Sequence, residues 1–427
     1  MKSIVRPILH VTMATLILLL VPACATRQLM PPPALYAARG ENPFEGTPEV
    51  LRSPDVNIIY ATDRQRLEDK TGALTYGSLR APALVTGVSA VRFGEIEDWD
   101  SLVSQSLSTD RKEKLAPHIV KNTETFTWPA SGRKVDWYLS DEAGKRAIEA
   151  EFQVAGTQLQ EVVSKQLSQT DLKEVYVLVH GYNVPFDDSV TTIAELWHFM
   201  GRQGVPIAYS WPAGHGGIRG YTTDRESGEY TVMHLKNMLE ALAQCPDLQK
   251  VNILAHSRGT DVALTALREL NIAYRNRGLD PGKALKLGSV VLAAPDLDFE
   301  VVTQRVMAEG VPFVPEQVTI YISEDDRALG LSSWVFDSVS RIGKLTSKIL
   351  SPVQKKRLAQ NDTLEVVDAR VKRADIFGHS YFYQDPSVSS DVILVLKEHR
   401  AAGAENGRPL ALQDNFWVVN PGYPEFK

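Results

Sequence analysis

Cysteine is scarce in this sequence, and its scarcity limits the chemistry that the chain can carry. The 427 residues include two cysteines, Cys24 and Cys245. There is no cysteine cluster, and no pair of the nine histidines has the H-E-x-x-H spacing of a zinc site. We therefore expect no structural metal and no cofactor. Cys245 is expected to be a small, buried hydrophobic residue.

The chain also lacks an excess of positive charge. Lysine and arginine number 46 against 52 aspartates and glutamates, which gives a formal net charge of -6. No basic run stands out, and this argues against nucleic acid as a partner. With 44% hydrophobic and 23% charged residues, the composition is that of a globular protein with one large domain or two smaller ones.

The hydrophobic run near the N-terminus is too short to span a membrane comfortably. It extends from Ile8 to Val21 and follows Lys2 and Arg6, a pattern typical of a secretory signal. The letters VPAC that come next resemble a bacterial lipobox, in which the signal is cut before a cysteine that is then lipidated. The sequence thus predicts a signal peptide over residues 1–23 and a lipid on Cys24.

The alternative is an ordinary signal peptide cut near Ala23 or Ala25. In either case we expect an exported protein. Two or three acyl chains on Cys24 bind a membrane stably, so we expect a lipid anchor in the bacterial cell envelope, at the outer membrane facing the periplasm. Residues 24–50 are rich in proline, glycine and alanine, and they predict a flexible tether.

Residues 51–168 are expected to form a β-rich N-terminal region that extends the main sheet, with turns over residues 66–84. Residues 169–427 alternate between apolar runs and helical patterns. The apolar runs are "EVYVLV", "VPIAYS", "KVNILA", "LGSVVLAA", "QVTIYI" and "LEVVDA". This alternation predicts an α/β fold, with a mostly parallel central sheet that is covered by helices on both faces.

Three residues that follow these runs suggest acyl-transfer chemistry. Ser257 lies in "AHSRG" between an apolar run and a long helical pattern, where Ala255 replaces the first glycine of a G-x-S-x-G elbow. Asp326 follows "QVTIYI", and His379 follows the last run in "FGHSYF". The order serine, acid, histidine is that of α/β-hydrolases.

Each residue type has a physical reason to be there. A serine hydroxyl is a poor nucleophile until a histidine removes its proton, and a carboxylate orients that histidine and stabilises its cation. The backbone N–H groups of Arg258 and Tyr182 are candidates for the oxyanion hole. His180 is expected to brace the loop that carries Tyr182.

Alternatives remain open for each member of the triad. The elbow pattern is weak by itself, and Ser257 taken alone is equally well a structural serine in a turn. Asp296 and Asp325 also follow strands and are alternatives for the acid. His256 is next to the serine in sequence, so its side chain is expected to point away, and it is a poor candidate for the base.

These residues resemble a known group. "VYVLVHGYNVPFDDSV", "IAYSWPA" with the later Tyr221 and Asp224, "NILAHSRGTDVALTAL", "VVLAAPDLD", "YISEDDRAL" and "GHSYFY" are similar to the bacterial DUF900 family of α/β-hydrolases, which is esterase- or lipase-like. The likeness covers most of residues 57–390. It implies an α/β-hydrolase fold and a triad of Ser257, Asp326 and His379.

The chain departs from the family in two places. Residues 95–140 match no pattern that we know. The elbow has Arg258 where family members often have methionine, and the Arg258 side chain is a candidate selector of anionic substrates.

The expected activity is that of a serine hydrolase of the envelope, acting on a small-molecule or lipid-like carboxylic ester through an acyl-enzyme on Ser257. An acyltransferase or thioesterase would use the same triad. A non-catalytic binding lipoprotein with this fold is a further alternative. Residues 329–361 show a helical pattern that fits either a lid or packing helices, and the oligomeric state stays open.

Overall fold

The computed structural model describes residues 27–326, 328–329, 341–345, 351–359, 363–371 and 378–426. The predicted signal peptide over residues 1–23 and the predicted lipidation site Cys24 lie outside these residues. So does most of the predicted insertion over residues 329–361, of which a short turn and one helix are described.

The described strands form one sheet in the order β10-β11-β9-β8-β7-β6-β4-β5-β1-β2-β3. Their bounds are β1 Asp55–Glu68, β2 Leu74–Phe93, β3 Pro117–Thr127, β4 Glu174–Val179, β5 Val205–Ser210, β6 Lys250–His256, β7 Leu287–Ala293, β8 Gln317–Ile322, β9 Leu364–Ala369, β10 Ala411–Gln413 and β11 Phe416–Val419.

The described helices flank this sheet. They are α1 Ala34–Arg39, α2 Trp99–Leu107, α3 Arg133–Leu139, α4 Glu142–Leu167, α5 Phe186–Phe199, α6 Gly217–Ala243, α7 Gly259–Asn276, α8 Pro281–Ala284, α9 Phe299–Val302, α10 Pro352–Ala359, α11 Tyr381–Gln384 and α12 Pro386–Leu396.

The sheet is mostly parallel, as the alternating sequence predicted. Strands β4 to β9 pair in parallel, β1 pairs in parallel with β5, and β11 pairs in parallel with β9. Antiparallel pairing joins β1 to β2, β2 to β3, and β10 to β11. The N-terminal strands β1, β2 and β3 extend the sheet beyond β5, so the predicted β-rich N-terminal region is confirmed.

The central strands are buried on both faces because helices cover each face. All six residues of β4 are buried, and successive residues point into different cores. Val177 lies in a core with Leu159 of α4 and Leu267 of α7, whereas Leu178 lies in a core with Ile193 of α5. The unbroken apolar runs of the sequence are explained by this double covering.

Residues 27–50 differ from the flexible tether that we predicted. Leu29, Met30, Leu35 and Tyr36 are buried against the core, and α1 packs on α12. The Leu35 N–H donates a hydrogen bond to Ser390 Oγ at 2.9 Å. The apolar residues of this segment are not spaced with the period of a helix or a strand. The prediction of a flexible tether therefore rested on composition alone.

The turns expected over residues 66–84 are also mostly strand. Strand β1 continues to Glu68, and β2 begins at Leu74. The end of β1 and the start of β2 form an arm in which most residues are exposed or half-buried, apart from the buried Tyr76 and Leu84, and regular alternation between buried and exposed positions is lost. The pattern that normally predicts a strand is therefore missing from the sequence of the arm.

Candidate active site

Ser257 lies in a sharp turn between β6 and α7, at the edge of the sheet where the parallel strands end. Its φ is 52°, in the left-handed region that residues other than glycine seldom adopt. Its backbone N–H donates to the Ala293 carbonyl oxygen of β7 at 2.9 Å. Held in this way, the turn has the features of a nucleophile elbow, and Ser257 is 5% exposed.

Two glycines allow the elbow to pack closely against the end of β4. A methyl group at Gly259 would overlap the carbonyl oxygens of Val179 and His180. A methyl group at Gly181 would lie 2.7 Å from the Ser257 Cβ. Ala255, two residues before the serine, is fully buried.

Asp326 and His379 are brought together at the same edge. The His379 Nδ1 lies 2.6 Å from Asp326 Oδ2, in hydrogen-bonding contact. Asp326 is completely buried, and its Oδ1 accepts a hydrogen bond from the Leu329 N–H at 3.1 Å. Such a carboxylate fixes the histidine tautomer with the proton on Nδ1 and leaves Nε2 to act as a base.

The alternative acids have different environments. Asp325 is exposed, although it is the neighbour of Asp326. Asp296 is buried, accepts a hydrogen bond from the Tyr221 hydroxyl at 2.5 Å and lies 3.5 Å from Arg341 Nε. The geometry thus favours Asp326 as the partner of His379.

His256 supports the backbone of His379. Its Nε2 lies 3.1 Å from the His379 carbonyl oxygen, to which it donates a hydrogen bond in the matching tautomer. Its ring lies 4.7 Å from the ring of Phe382 and 4.7 Å from that of His379. The sequence identified His256 as a poor base but gave no hint of this supporting contact.

Tyr182 lies in the loop after β4, and this loop is fixed by several contacts. The Asn183 N–H donates to Asp224 Oδ2 at 3.0 Å, and His215 Nδ1 lies 2.5 Å from Asp224 Oδ1. The His180 ring is stacked on Trp211 with an interplanar angle of 4°. The His180 Nδ1 also lies 2.9 Å from the Gly181 carbonyl oxygen, a hydrogen bond of the kind that we expected to brace the loop.

Arg64 is a residue of the site that the sequence did not reveal. It is 1% exposed and donates hydrogen bonds to the carbonyl oxygens of Ala213 at 2.6 Å and Val184 at 2.7 Å. Its Nη2 also lies 3.1 Å from His180 Nε2. Burial lowers the pKa of the guanidinium to about 10. Arg64 therefore ties the loop after β4 to the loop after β5.

The Arg258 side chain is engaged within the protein. Its Nη2 donates to Asp261 Oδ2 at 2.6 Å, and its Nη1 donates to the Asp296 carbonyl oxygen at 3.1 Å. Its guanidinium carbon lies 6.0 Å from the centre of the Tyr221 ring. The side chain is 8% exposed and its charge is paired. This environment argues against the expectation that Arg258 selects anionic substrates, while Arg258 is the N-cap residue of α7 directly after Ser257.

A cavity lies between α6 and α7. It has a volume of about 580 Å³, and its wall includes Tyr221, Arg258, Leu297 and Arg341. This volume is in the usual range for small-molecule pockets. Its wall includes Arg258, next to the elbow in sequence, but not Ser257, Asp326 or His379.

Two negative findings apply to the part of the chain that the structure describes. Within it, no group of three or more histidine, cysteine, aspartate or glutamate side chains is arranged to hold a metal ion. No helix in that part combines the length and hydrophobicity needed to cross a bilayer.

Comparison with known proteins agrees with the architecture. No curated protein matches the chain. The model of a family described as alpha/beta hydrolase of unknown function, DUF900, matches residues 155–397, more than half of the chain, including Ser257, Asp326 and His379. The chain belongs to the DUF900 family of α/β-hydrolases.

Proposed function

We propose that the protein is a serine hydrolase of the bacterial envelope that cleaves carboxylic esters through an acyl-enzyme on Ser257. The observation that carries the proposal is the 2.6 Å contact between His379 and the buried Asp326, at the same sheet edge as the elbow serine. A buried carboxylate on Nδ1 makes Nε2 of the same ring a competent base.

The reaction follows from these groups. His379 takes the proton of the Ser257 hydroxyl while Oγ attacks the ester carbonyl carbon. The oxyanion that forms accepts hydrogen bonds from the backbone N–H groups of Arg258 and Tyr182, each worth ~3 kcal/mol of transition-state stabilisation. Collapse of the intermediate breaks the ester bond, and His379 gives its proton to the leaving alcohol.

Water completes the cycle. His379 removes a proton from a water molecule, whose oxygen attacks the acyl carbon. As the intermediate collapses, His379 returns this proton to Ser257 Oγ, the bond between Oγ and the acyl carbon breaks, and the carboxylic acid leaves.

A fluorophosphonate probe tests the nucleophile. We expect the folded protein to be labelled in proportion to its concentration, and Ser257→Ala to remain unlabelled at the same stability. Because the probe forms a bond only with an activated serine, a folded wild-type protein without label would refute the hydrolase. A series of p-nitrophenyl esters of increasing acyl length then identifies the preferred acyl group.

The envelope location rests on the signal pattern and on Cys24. Mass spectrometry of the mature protein from bacterial membranes tests it. We expect an N-terminal Cys24 that carries acyl chains, and a free amine at a residue beyond Cys24 would contradict the lipid anchor.

A further inference from the structure

We propose that the sheet edge carrying Ser257 faces a lipid bilayer, so that the protein acts on an ester presented from the membrane surface. This inference rests on the proposed function, namely hydrolysis at Ser257 and lipidation of Cys24. It adds the orientation of the molecule and the physical state of its substrate.

The first argument is the path of the chain before α1. The Tyr36 hydroxyl donates to the carbonyl oxygen of Phe199, the last residue of α5. Arg27 lies at the other end of the same helix, where its Nη1 donates to the Asp188 carbonyl oxygen at 3.2 Å. Going backwards from Tyr36 to Arg27, the chain thus runs towards the N-terminal end of α5, which follows the carboxyl end of β4.

The second argument is the closeness of Arg27 to the site. Its guanidinium carbon lies 5.5 Å from the centre of the Tyr383 ring, and Tyr383 comes four residues after His379. A 3.0 Å ion pair with the buried Glu195 holds Arg27 in place. Cys24 precedes Arg27 by three residues, and an extended chain of that length spans roughly 10 Å. Acyl chains on Cys24 would therefore enter the membrane close to the edge that carries His379.

The third argument is an exposed apolar helix at the same edge. Strand β3 ends at Thr127, which pairs with Val85 of β2. Val85 pairs in turn with Thr62 of β1, and Thr62 pairs with Ser210, the last residue of β5. These positions lie at the carboxyl end of the parallel strands, and α3 begins six residues after Thr127, at Arg133.

Helix α3 presents large side chains to solvent. Val135, Tyr138 and Leu139 are 61%, 78% and 81% exposed. Three such side chains within one short helix form a patch that a bilayer interface would cover, and tyrosine suits that interface because its ring is apolar and its hydroxyl is polar.

The two contact points lie on opposite faces of the sheet. Residues 27–36 share a core with α5, whereas α3 leads into α4, whose buried residues belong to the core on the other face. Strand β6, which ends in the Ser257 elbow, lies in the sheet between these layers. If the Arg27 region and α3 both contact the bilayer, the bilayer surface lies across the sheet edge that carries Ser257.

Site-specific fluorescence tests the orientation. The full-length lipidated protein, in vesicles of phosphatidylethanolamine with a minority of phosphatidylglycerol, is given one labelling site by Tyr138→Cys or by Leu279→Cys. Cys245 is fully buried and stays unlabelled. Leu279 is the matched control, because it is an exposed apolar residue just beyond the C-terminal end of α7, at the opposite edge of the sheet.

We expect an environment-sensitive dye at position 138 to shift to shorter wavelength on vesicles and to be quenched by nitroxide-labelled lipid. The dye at position 279 should show neither change. Equal quenching at both positions, stronger quenching at 279, or a wild-type protein that stays off vesicles would overturn the proposal.

A second measurement separates this inference from the hydrolase itself. Tyr138→Ser combined with Leu139→Ser should lower turnover of a long-chain ester carried in the vesicles about fivefold, by weakening interfacial contact, and leave turnover of soluble p-nitrophenyl acetate unchanged. Equal turnover of the vesicle ester by variant and wild type would contradict the membrane-facing edge. If the wild type cleaves neither ester, the hydrolase fails, while the fluorescence still decides the orientation.

Discussion

At the scale of single residues, the backbone of Ser257 is held in a conformation that costs free energy. A serine with φ of 52° is less stable by roughly 1–2 kcal/mol than one in a common conformation. The surrounding contacts maintain it, because Ser257 N–H is bonded to Ala293 and Gly181 lies against its Cβ. This conformation places the Ser257 hydroxyl group beyond the end of the sheet, at the start of α7.

Asp326→Asn tests the acid of the triad. An asparagine keeps the size of the side chain but offers an N–H or a neutral oxygen to His379, so the ring no longer has its favoured tautomer and its cation loses a charged partner. We expect kcat for ester hydrolysis to fall by about 10³- to 10⁴-fold, with a much smaller change in KM.

The neighbour Asp325 supplies the control for this prediction. Asp325→Asn changes the same charge one residue away on an exposed side chain, and its kcat should equal that of the wild type. If instead Asp296→Asn abolished activity and Asp326→Asn left it intact, the acid would have to be reassigned.

The order of residues along the sequence was enough to propose that Ser257, Asp326 and His379 lie close together. It was not enough to predict which contacts the neighbouring side chains make. Asp326 and His379 follow different strands, and parallel topology brings strand ends to one edge. Arg258 was considered as a substrate contact because its partners were unknown. Asp261 is one helical turn away, but Asp296 lies in the loop after β7. The catalytic roles of Ser257, Asp326 and His379 stay predictions.

At the scale of elements, strand β1 holds in place the loops after β4 and β5 at the candidate active site. It carries Arg64, which bonds to carbonyl oxygens of the loops that follow β4 and β5. The partners of Arg64, Ala213 and Val184, are 149 and 120 residues away in the chain. No local sequence pattern could therefore reveal the role of Arg64.

Arg64→Lys tests this positioning role. Lysine keeps the positive charge but cannot reach several acceptors at once, so buried carbonyl oxygens lose their donors. We expect the free energy of unfolding to fall by about 2–3 kcal/mol, and kcat to fall about tenfold as the Tyr182 loop loses its fixed position. Urea denaturation and ester kinetics measure the two effects.

Arg66→Lys is the matched control, since Arg66 lies two residues further along β1 and its side chain is 63% exposed. It should change neither the unfolding free energy nor kcat. An Arg64→Lys variant with the same kcat as Arg66→Lys would show that the loop needs no such support.

The elements themselves were predictable where burial is uniform. The unbroken apolar strands and the long helices of residues 169–326 follow from composition and period alone. Prediction was wrong for the arm between β1 and β2, because its exposed strands lack alternation. The tether expectation likewise failed from Arg27 onwards, since Leu29, Met30 and Leu35 find their partners in α5 and α12, far along the chain.

At the scale of the whole molecule, two buried histidines make stability depend on pH. Burial, reinforced by the nearby cations of Arg64 and Arg202, holds the pKa of His180 and of His198 well below 6.5. As the pH falls below 6.5, the unfolded chain binds protons at these histidines and the folded protein does not. The unfolding free energy should then drop by about 1.4 kcal/mol per pH unit for each histidine.

His198→Gln should remove about half of the pH dependence of the unfolding free energy that comes from His180 and His198. Urea denaturation at steps from pH 7 to pH 5 measures the slope, and His118→Gln is the control because His118 is exposed. An unchanged slope in His198→Gln would mean that His198 takes up a proton in the folded protein as readily as in the unfolded chain.

The docking of residues 27–36 has a consequence for how the protein is made. Leu35 bonds to Ser390, 355 residues later, and Arg27 lies on α5 beside Tyr383, so residues 27–36 can dock only after nearly all of the chain has been synthesised. Contacts of such long separation slow folding. In the exported protein that we propose, slow docking of residues 27–36 would leave the chain unfolded for longer, which favours its passage across the inner membrane.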